Sequence, residues 1–341
     1  MLNSIQTLRA IAAWIVVLHH YVLIFGKINS NSLTAILGKH GSIGVDIFFI
    51  ISGIVIYLST AGKSIRPGDF AMQRIARVVP AYWFYTAITA VTIVTIPSVM
   101  PRLGYDHTFL VKSLLFIPSQ NPSGLGLYPI LSVGWTLNLE MVFYAIFSLS
   151  LFLPRKLLVP AIFLGVSALQ ILSASHFGGG CFYAKKAVYE FLFGIVIAII
   201  YQRGYLNHIP ALAAASLIAL SIYYITEQIP GSHDPITYGL PSAALVCAIL
   251  SQERLFHKTR LLNKLGDWSY STYLIHPIVI FYVLSGKKIG LFGDEVALLL
   301  VLAITLAASI ASHMYLELPA QRMYKRWAVV RARATQTEMV R

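Results

Sequence analysis

The chain has 341 residues, of which 57% are hydrophobic and only 11% charged. A soluble domain carries about 25% charged residues, so there is too little charge here to cover water-facing domains of this length. The same composition excludes a disordered chain, a coiled coil and a collagen-like repeat. What remains is a polytopic membrane protein. Lys and Arg number 26 against 13 Asp and Glu, a formal net charge of +13; in a membrane chain this excess belongs to cytoplasmic loops rather than to nucleic-acid binding. Cys181 and Cys247 sit in unrelated contexts and indicate neither a metal site nor a disulfide framework.

Apolar stretches of about 20 residues mark bilayer crossings. In chain order they run over 7–26, 42–60, 80–98, 135–153, 157–173, 187–202, 210–226, 236–252, 268–286 and 294–315. The predicted fold is an all-α transmembrane bundle of about ten helices. The stretch 108–118 is apolar but too short to span and reads as re-entrant or interfacial. A histidine pair interrupts the first apolar run and no A-x-A site follows, so the N-terminus does not read as a cleavable signal peptide. Residues 1–320 read as one membrane-embedded domain and 321–341 as a basic tail. With ten spans the termini and the even-numbered loops share a side, which carries 18 of the 26 basic residues. The positive-inside rule puts both termini in the cytoplasm, as expected of a multi-pass protein of a bacterial inner membrane.

Ionisable side chains within spans are costly and are functional candidates by default. His20 stands roughly 9 Å from the outer end of the first span, Asp46 roughly 6 Å into the second, and Glu140 roughly 8 Å into the fourth, at 1.5 Å per residue. Three ionisable groups from three spans therefore share one layer in the outer part of the bilayer. A histidine beside a carboxylate is a usual arrangement for a general base, against the alternative of a pair that only ties helices together. His19, about 100° around the helix from His20, reads as a packing or capping residue.

A second cluster lies on the opposite side. Arg74 and Arg77, three apart just before the third span, share one face if helical, and two forked donors suit a phosphate-bearing anion; plain topological anchoring is the alternative. Arg9 is on the same side. Gly41, Gly44 and Gly53 around the second span read as helix-packing positions. Tyr270, Tyr273 and His276 lie on the ninth span, and Glu317 with Pro319 closes the last. No P-loop, G-x-S-x-G, H-E-x-x-H or G-x-G-x-x-G occurs, and no metal-ligand spacing.

Taken together these residues resemble the acyltransferase 3 family of integral membrane O-acyltransferases. The resemblance begins with Arg9 and, ten residues beyond it, His20. It continues through Gly44-Val45-Asp46-Ile47-Phe48-Phe49 and Ser52-Gly53, and through Arg74-x-x-Arg77 with Pro80 and Tyr82. Trp135-Thr136-Leu137 with Glu140, Phe143 and Tyr144 follow, then Gly266 with Ser269-Tyr270, Tyr273-Leu274 and His276, and finally Glu317-Leu318-Pro319. Thr136 stands where many relatives have serine. The opening Ser4-Ile5-Gln6 is most similar to the branch that acetylates exopolysaccharide.

The resemblance implies transfer of an acyl group, acetyl or another, from acyl-CoA on the cytoplasmic side to a hydroxyl of a surface or exported polysaccharide or a lipid-linked glycan. It implies His20 as the essential histidine, Asp46 as its partner, Glu140 as a further catalytic residue, and Arg74, Arg77 and Arg9 as contacts of coenzyme A. Trp135, Tyr144, Tyr270 and His276 are candidate substrate contacts. Direct transfer and a covalent acyl-histidine remain alternatives. The rival reading is a proton-coupled transporter or exporter, because intramembrane His, Asp and Glu also mark proton relays; against it, no inverted repeat or pair of broken helices is visible.

Overall fold

A computed structural model describes residues 2–28, 31–101, 103–177 and 182–339 of the chain; Cys181 lies outside the described residues. The protein is all-helical, with 79% of its residues in helices and no strand among the described residues. The helices, in chain order, are α1 (Asn3–Ile24), α2 (Ser32–His40), α3 (Ile43–Thr60), α4 (Pro67–Thr95), α5 (His107–Leu114), α6 (Trp135–Ser150) and α7 (Arg155–Phe177). They continue as α8 (Glu190–Gln202), α9 (Ala211–Thr226), α10 (Leu240–Ser251), α11 (Arg260–Lys288), α12 (Asp294–Ser312) and α13 (Leu318–Met339).

Every apolar stretch marked in the sequence coincides with a helix, and the short stretch at 108–118 forms the short α5. Among the described residues, six helical segments are long and apolar enough by themselves to cross a membrane: Asn3–Ile24, Ile43–Thr60, Pro67–Thr95, Ser132–Ser150, Arg155–Ser175 and Asp294–Ala328. The clearest shift in a boundary is at α4. It begins at Pro67, a residue suited to the first helical turn, and not near residue 80.

The chain folds as two compact units, one of residues 1–63 with 163–306, the other of residues 64–162 with 307–341. In the first unit, side-chain and backbone pairings give the helix directions. Asn263 Nδ2 donates to Asn3 Oδ1 at 2.8 Å, and His276 meets His20 at 3.2 Å. Partners thus ascend together along α1 and α11, which run parallel. Gly41, just before α3, lies against His19, and Gly44 lies against Ala12, so α3 descends as α1 ascends. Phe49 stacks near Phe191 at 4.7 Å between ring centres, and Gly53 lies against Phe191 and Gly194. Helices α3 and α8 are therefore also parallel. These directions are the ones that an alternating ten-span chain gives to its first, second, sixth and ninth spans.

The α3–α8 crossing is a backbone-to-backbone contact. A Cβ on Gly53 would sit 2.1 Å from Phe191 O, and one on Gly194 would sit 2.1 Å from Ile50 O. Only glycine at both positions lets the helices approach so closely. Around the crossing an apolar core gathers Ile47, Ile50, Ile51 and Ile54 of α3 with Ile197 and Ala198 of α8. Ile5 and Leu8 of α1 and Val246 and Leu250 of α10 complete it.

In the second unit α4 and α6 run antiparallel. Ser148 Oγ donates to Pro67 O at 2.9 Å, and Phe70 stacks on Phe147 with ring centres 4.9 Å apart. Tyr324 on α13 donates to Asp69 O at 2.7 Å. Tyr82 and Trp83 on α4 hold the end of α5 through Ser113 O and Leu114 O.

Gly53→Ala and Gly194→Ala are expected to destabilise the protein by about 1–3 kcal/mol, the usual cost of overpacking a tight core. Gly68→Ala, where an added Cβ meets nothing within 4 Å, is the matched control. Thermal unfolding of the purified protein in detergent reads the difference, and equal midpoints for Gly53→Ala and Gly68→Ala would contradict the crossing.

Candidate active site

At the end of the first unit where α1 finishes and α3 and α8 begin, five ionisable side chains gather that no single stretch of sequence brings together. His20 lies four residues before the end of α1, and Asp46 is in the first turn of α3. Glu190 opens α8, His276 sits in the middle of α11, and His233 is in the segment that joins α9 to the π turn Pro235–Gly239. His20 is thus near the end of α1 and Asp46 near the start of the antiparallel α3.

Their partners differ from the predicted pair. Asp46 Oδ2 accepts from His233 Nδ1 at 2.9 Å, and not from His20. His20 Nδ1 lies 3.0 Å from Val16 O, one turn back on its own helix, and 3.2 Å from His276 Nε2. The physical reason is directional. The carbonyl of Val16 and the His276 ring claim the Nδ1 edge of His20, while Asp46 faces α8 and the loop that carries His233.

The His20–His276 pair has one consistent set of protons. Val16 O and Thr272 O can only accept, and they lie at hydrogen-bonding distance from His20 Nδ1 and, at 3.3 Å, from His276 Nδ1. Both neutral rings therefore carry their proton on Nδ1, an assignment made from the network. His276 Nε2 is then an acceptor for His20 Nδ1–H, which is shared between Val16 O and the second ring. The remaining nitrogen, His20 Nε2, holds a lone pair and has no hydrogen-bond partner among the described residues. A half-buried imidazole with an unoccupied basic nitrogen, its other nitrogen fixed, is the arrangement of a general base.

Around this pair the structure is fixed on several sides. His19 turns away and its Nδ1 meets Leu37 O of α2 at 2.9 Å, the packing role expected for it. Tyr273 lies with its ring centre 5.8 Å from that of His276 and 5.9 Å from that of Phe48. Tyr270, one turn earlier on α11 and half-buried, has its partners within the protein. Lys27 Nζ binds Asp294 Oδ2 at 2.6 Å, and Lys287 binds the other carboxylate oxygen, clamping α1, α11 and α12 at the same end. At the opposite end of α1 Arg9 is buried and donates to Gln6 Oε1 at 3.0 Å, while Gln6 also bonds Asp267 of α11. The α1 N-terminus is capped by Glu253, which accepts from the amides of Asn3 and Ser4.

The other predicted residues belong to the second unit. Glu140 accepts a hydrogen bond from Tyr144, one turn on along α6. Arg74 lies with its guanidinium carbon 5.1 Å from the Phe70 ring centre and 5.9 Å from that of Tyr144, and Glu140 is within its electrostatic range. Since Pro67 stands opposite Ser148, Arg74, about 10 Å along α4, and Glu140, about 12 Å back along α6, lie at one height. Arg74 is therefore inside the helix pair and buried, and Arg77, one turn further, is half-buried. The sequence reading puts the two just before the span, on one face if helical; the helix starts at Pro67 and includes both. Trp135 begins α6 after the 3-10 turn Ser132–Gly134 and is half-buried.

Two members of the first cluster escaped the sequence reading. Glu190 carried a signal, being an acidic residue inside the predicted span 187–202. His233 carried none, because a histidine in a polar connection is ordinary until its contacts are known. Its backbone is not ordinary: φ is +45°, in the left-handed region that non-glycine residues seldom occupy. No group of His, Cys, Asp and Glu able to hold a metal ion occurs among the described residues.

Comparison with known proteins bears on the same residues. The family of acyltransferase domains matches residues 2–314, a range that includes every site residue named above. The chain is 33% identical over 291 residues to the exopolysaccharide production protein ExoZ of Rhizobium meliloti (strain 1021), covering 83% of this chain and 90% of that protein. It is 26% identical over 320 residues to the acyltransferase MdmB of Streptomyces mycarofaciens, covering 84% of this chain and 82% of that protein. The O-acetyltransferase OatA of Staphylococcus aureus (strain NCTC 8325 / PS 47) is 23% identical over 359 residues, covering 94% of this chain and 57% of that protein. No solved structure matches the chain.

Nitrogen-15 NMR of the histidine-labelled protein is expected to show Nδ1–H tautomers for the neutral rings of His20 and His276. A neutral His20 with its proton on Nε2 would remove the free base from the site.

Proposed function

The chain belongs to the acyltransferase 3 family of membrane acyltransferases, and from that premise we propose that it moves an acyl group, acetyl in the simplest case, from acyl-CoA to a hydroxyl of an exported or surface polysaccharide. The observation that carries this reading is the free Nε2 lone pair of His20, set by Val16 O and His276 on its other edge. The relatives named for exopolysaccharide production and for O-acetyl transfer support the acceptor and the group moved.

A thioester is already activated, so the work of the site is to make a hydroxyl nucleophilic. His20 Nε2 takes the hydroxyl proton as the oxygen attacks the thioester carbonyl. The tetrahedral intermediate collapses, the C–S bond breaks, and the departing thiolate takes the proton back from His20. The ring nitrogen is then free again and no net proton is consumed. His276 holds the tautomer throughout. Asp46, at the same end of the unit, supplies the negative charge that favours the transient imidazolium.

The arginines suit the anionic donor. Arg74 and Arg77 are assigned to the phosphates of coenzyme A, with Arg9 as a further contact of the donor, and guanidinium groups match phosphate in geometry as well as charge. Glu140, bound by Tyr144 and near Arg74, orients that arginine more directly than it could serve as a base. Trp135, Tyr144 and Tyr270 are assigned to substrate contacts. The basic side of the chain, with both termini, faces the cytoplasm by the positive-inside rule, and the helix directions support that alternation. A bacterial inner membrane suits a donor made inside and an acceptor displayed outside.

His20→Ala is expected to lower acyl transfer by about 10²–10⁴-fold, the range for loss of a general base, while the protein still inserts in the membrane. Ester content of the cell's polysaccharide by mass spectrometry, together with thiol release from acyl-CoA by the purified protein, reads this; wild-type ester content in the variant would sink the assignment, and a protein that never releases thiol would be a transporter.

Arg74→Ala with Arg77→Ala is expected to raise the KM for acyl-CoA about tenfold or more, the scale of losing charge-assisted contacts. An unchanged KM would return the pair to a purely structural role.

A further inference from the structure

Asp46 is completely buried, and so is Glu190. They come from different helices, α3 and α8, which the Gly53–Gly194 crossing holds in parallel contact. The crossing sets the two first turns, each of which carries one of these carboxyl groups, side by side. Neither oxygen of Glu190, and not Oδ1 of Asp46, has a donor partner among the described residues. Two carboxyl groups bond each other only through a proton. Two neighbouring carboxyl groups in one buried site hold a single shared charge at lower cost than two.

Which member keeps the charge follows from the third group. His233 Nδ1 donates to Asp46 Oδ2 at 2.9 Å, and a donor stabilises a carboxylate more than an acid. Glu190 has no such donor, and its side chain lies close to Gly239. A donor on Asp46 and none on Glu190 favours the charge on Asp46. His233 comes to Asp46 from outside the helices, with its side chain 18% exposed and its backbone held at a left-handed φ. Neighbouring anchors fix that segment: Asp234 accepts from the amides of Ile236 and Thr237 and pairs with Lys186 at 3.7 Å, and Tyr238 bonds His40 at 3.0 Å.

We propose that Glu190 and His233 are positioning residues for the acyl transfer, Glu190 as a buried acid donating to Asp46 and His233 as a loop-borne donor to the other oxygen, so that Asp46 stays the single fixed anion of the site. Neither residue touches substrate. Both act through Asp46. The proposal rests on the reading of His20 as the base that Asp46 supports.

The test uses the full-length protein in nanodiscs, with thiol release from acyl-CoA and ester formation on the acceptor measured together. Glu190→Leu, which fills the space but cannot donate, is expected to lower kcat about tenfold or more with KM for acyl-CoA unchanged, the scale of a lost hydrogen bond to a charged group. Glu190→Gln, which keeps an N–H donor for Asp46, is expected to recover most of that loss. In an Asp46→Asn background the Glu190→Leu change is expected to cost little more, because the group through which it acts is gone. His233→Ala gives the same pattern from the other oxygen and decides the matter if Glu190→Leu does not accumulate in the membrane. Wild-type kcat in Glu190→Leu and His233→Ala, equal losses in the Gln and Leu variants, or losses that multiply with Asp46→Asn would overturn the proposal. A wild-type protein without transfer activity, or a fully active His20→Ala variant, would instead overturn the reading of the site on which it rests.

Discussion

A carboxylate removed completely from water governs the first unit. An unpaired ionised group in such surroundings costs several kcal/mol, so Asp46 can be tolerated only with its partners in place, and each partner imposes a demand on the fold. His233 must reach inward from a connection, and the backbone there takes a conformation that histidine seldom adopts. In the proposed pair Glu190 stands beside it, across the parallel α3–α8 crossing where the backbones touch. Gly53 lies two turns from Asp46 and Gly194 one turn from Glu190, so a wider crossing would separate the carboxyls.

The histidine pair obeys a different constraint. In a helix the carbonyl one turn back is already bonded to a backbone amide, and a histidine side chain can add a second bond to it. Val16 O and Thr272 O do this for His20 and His276. The consequence is a tautomer chosen by the backbone rather than by an acidic residue. The ring is thus oriented by neutral groups alone.

Much of this was legible in the sequence. The ten apolar stretches find their helices, because a bilayer-length apolar run has few alternatives to a helix. That His20 lies near the end of one helix and Asp46 near the start of the next followed from counting residues. Their pairing did not, since hydrogen bonds depend on which way a helix faces, and neither interrupted apolar pattern fixes a rotation. The start of α4 was misplaced for a related reason. Its first three turns carry Asp69, Arg74 and Arg77, which an apolar window rejects, although Phe70, Arg74 and Val78 form a buried face. His233 lay beyond any pattern in the sequence, because its role is made by a turn and a distant partner.

The arginines show why spacing alone underdetermines function. Residues 74 and 77 share a face of α4, yet one is buried over two aromatic rings and the other is half-exposed. A guanidinium is weakly hydrated and planar, so it tolerates such a place where an ammonium would not. Held over Phe70 and Tyr144 with Glu140 nearby, Arg74 is rigid and partly neutralised, suited to fixing the position of an anionic group more than to attracting it. Arg77, freer and closer to water, suits attraction. In the proposed reading, capture and alignment of an anionic donor fall to neighbours one turn apart, and the difference between the two arginines arises from how α4 and α6 pack rather than from the motif itself.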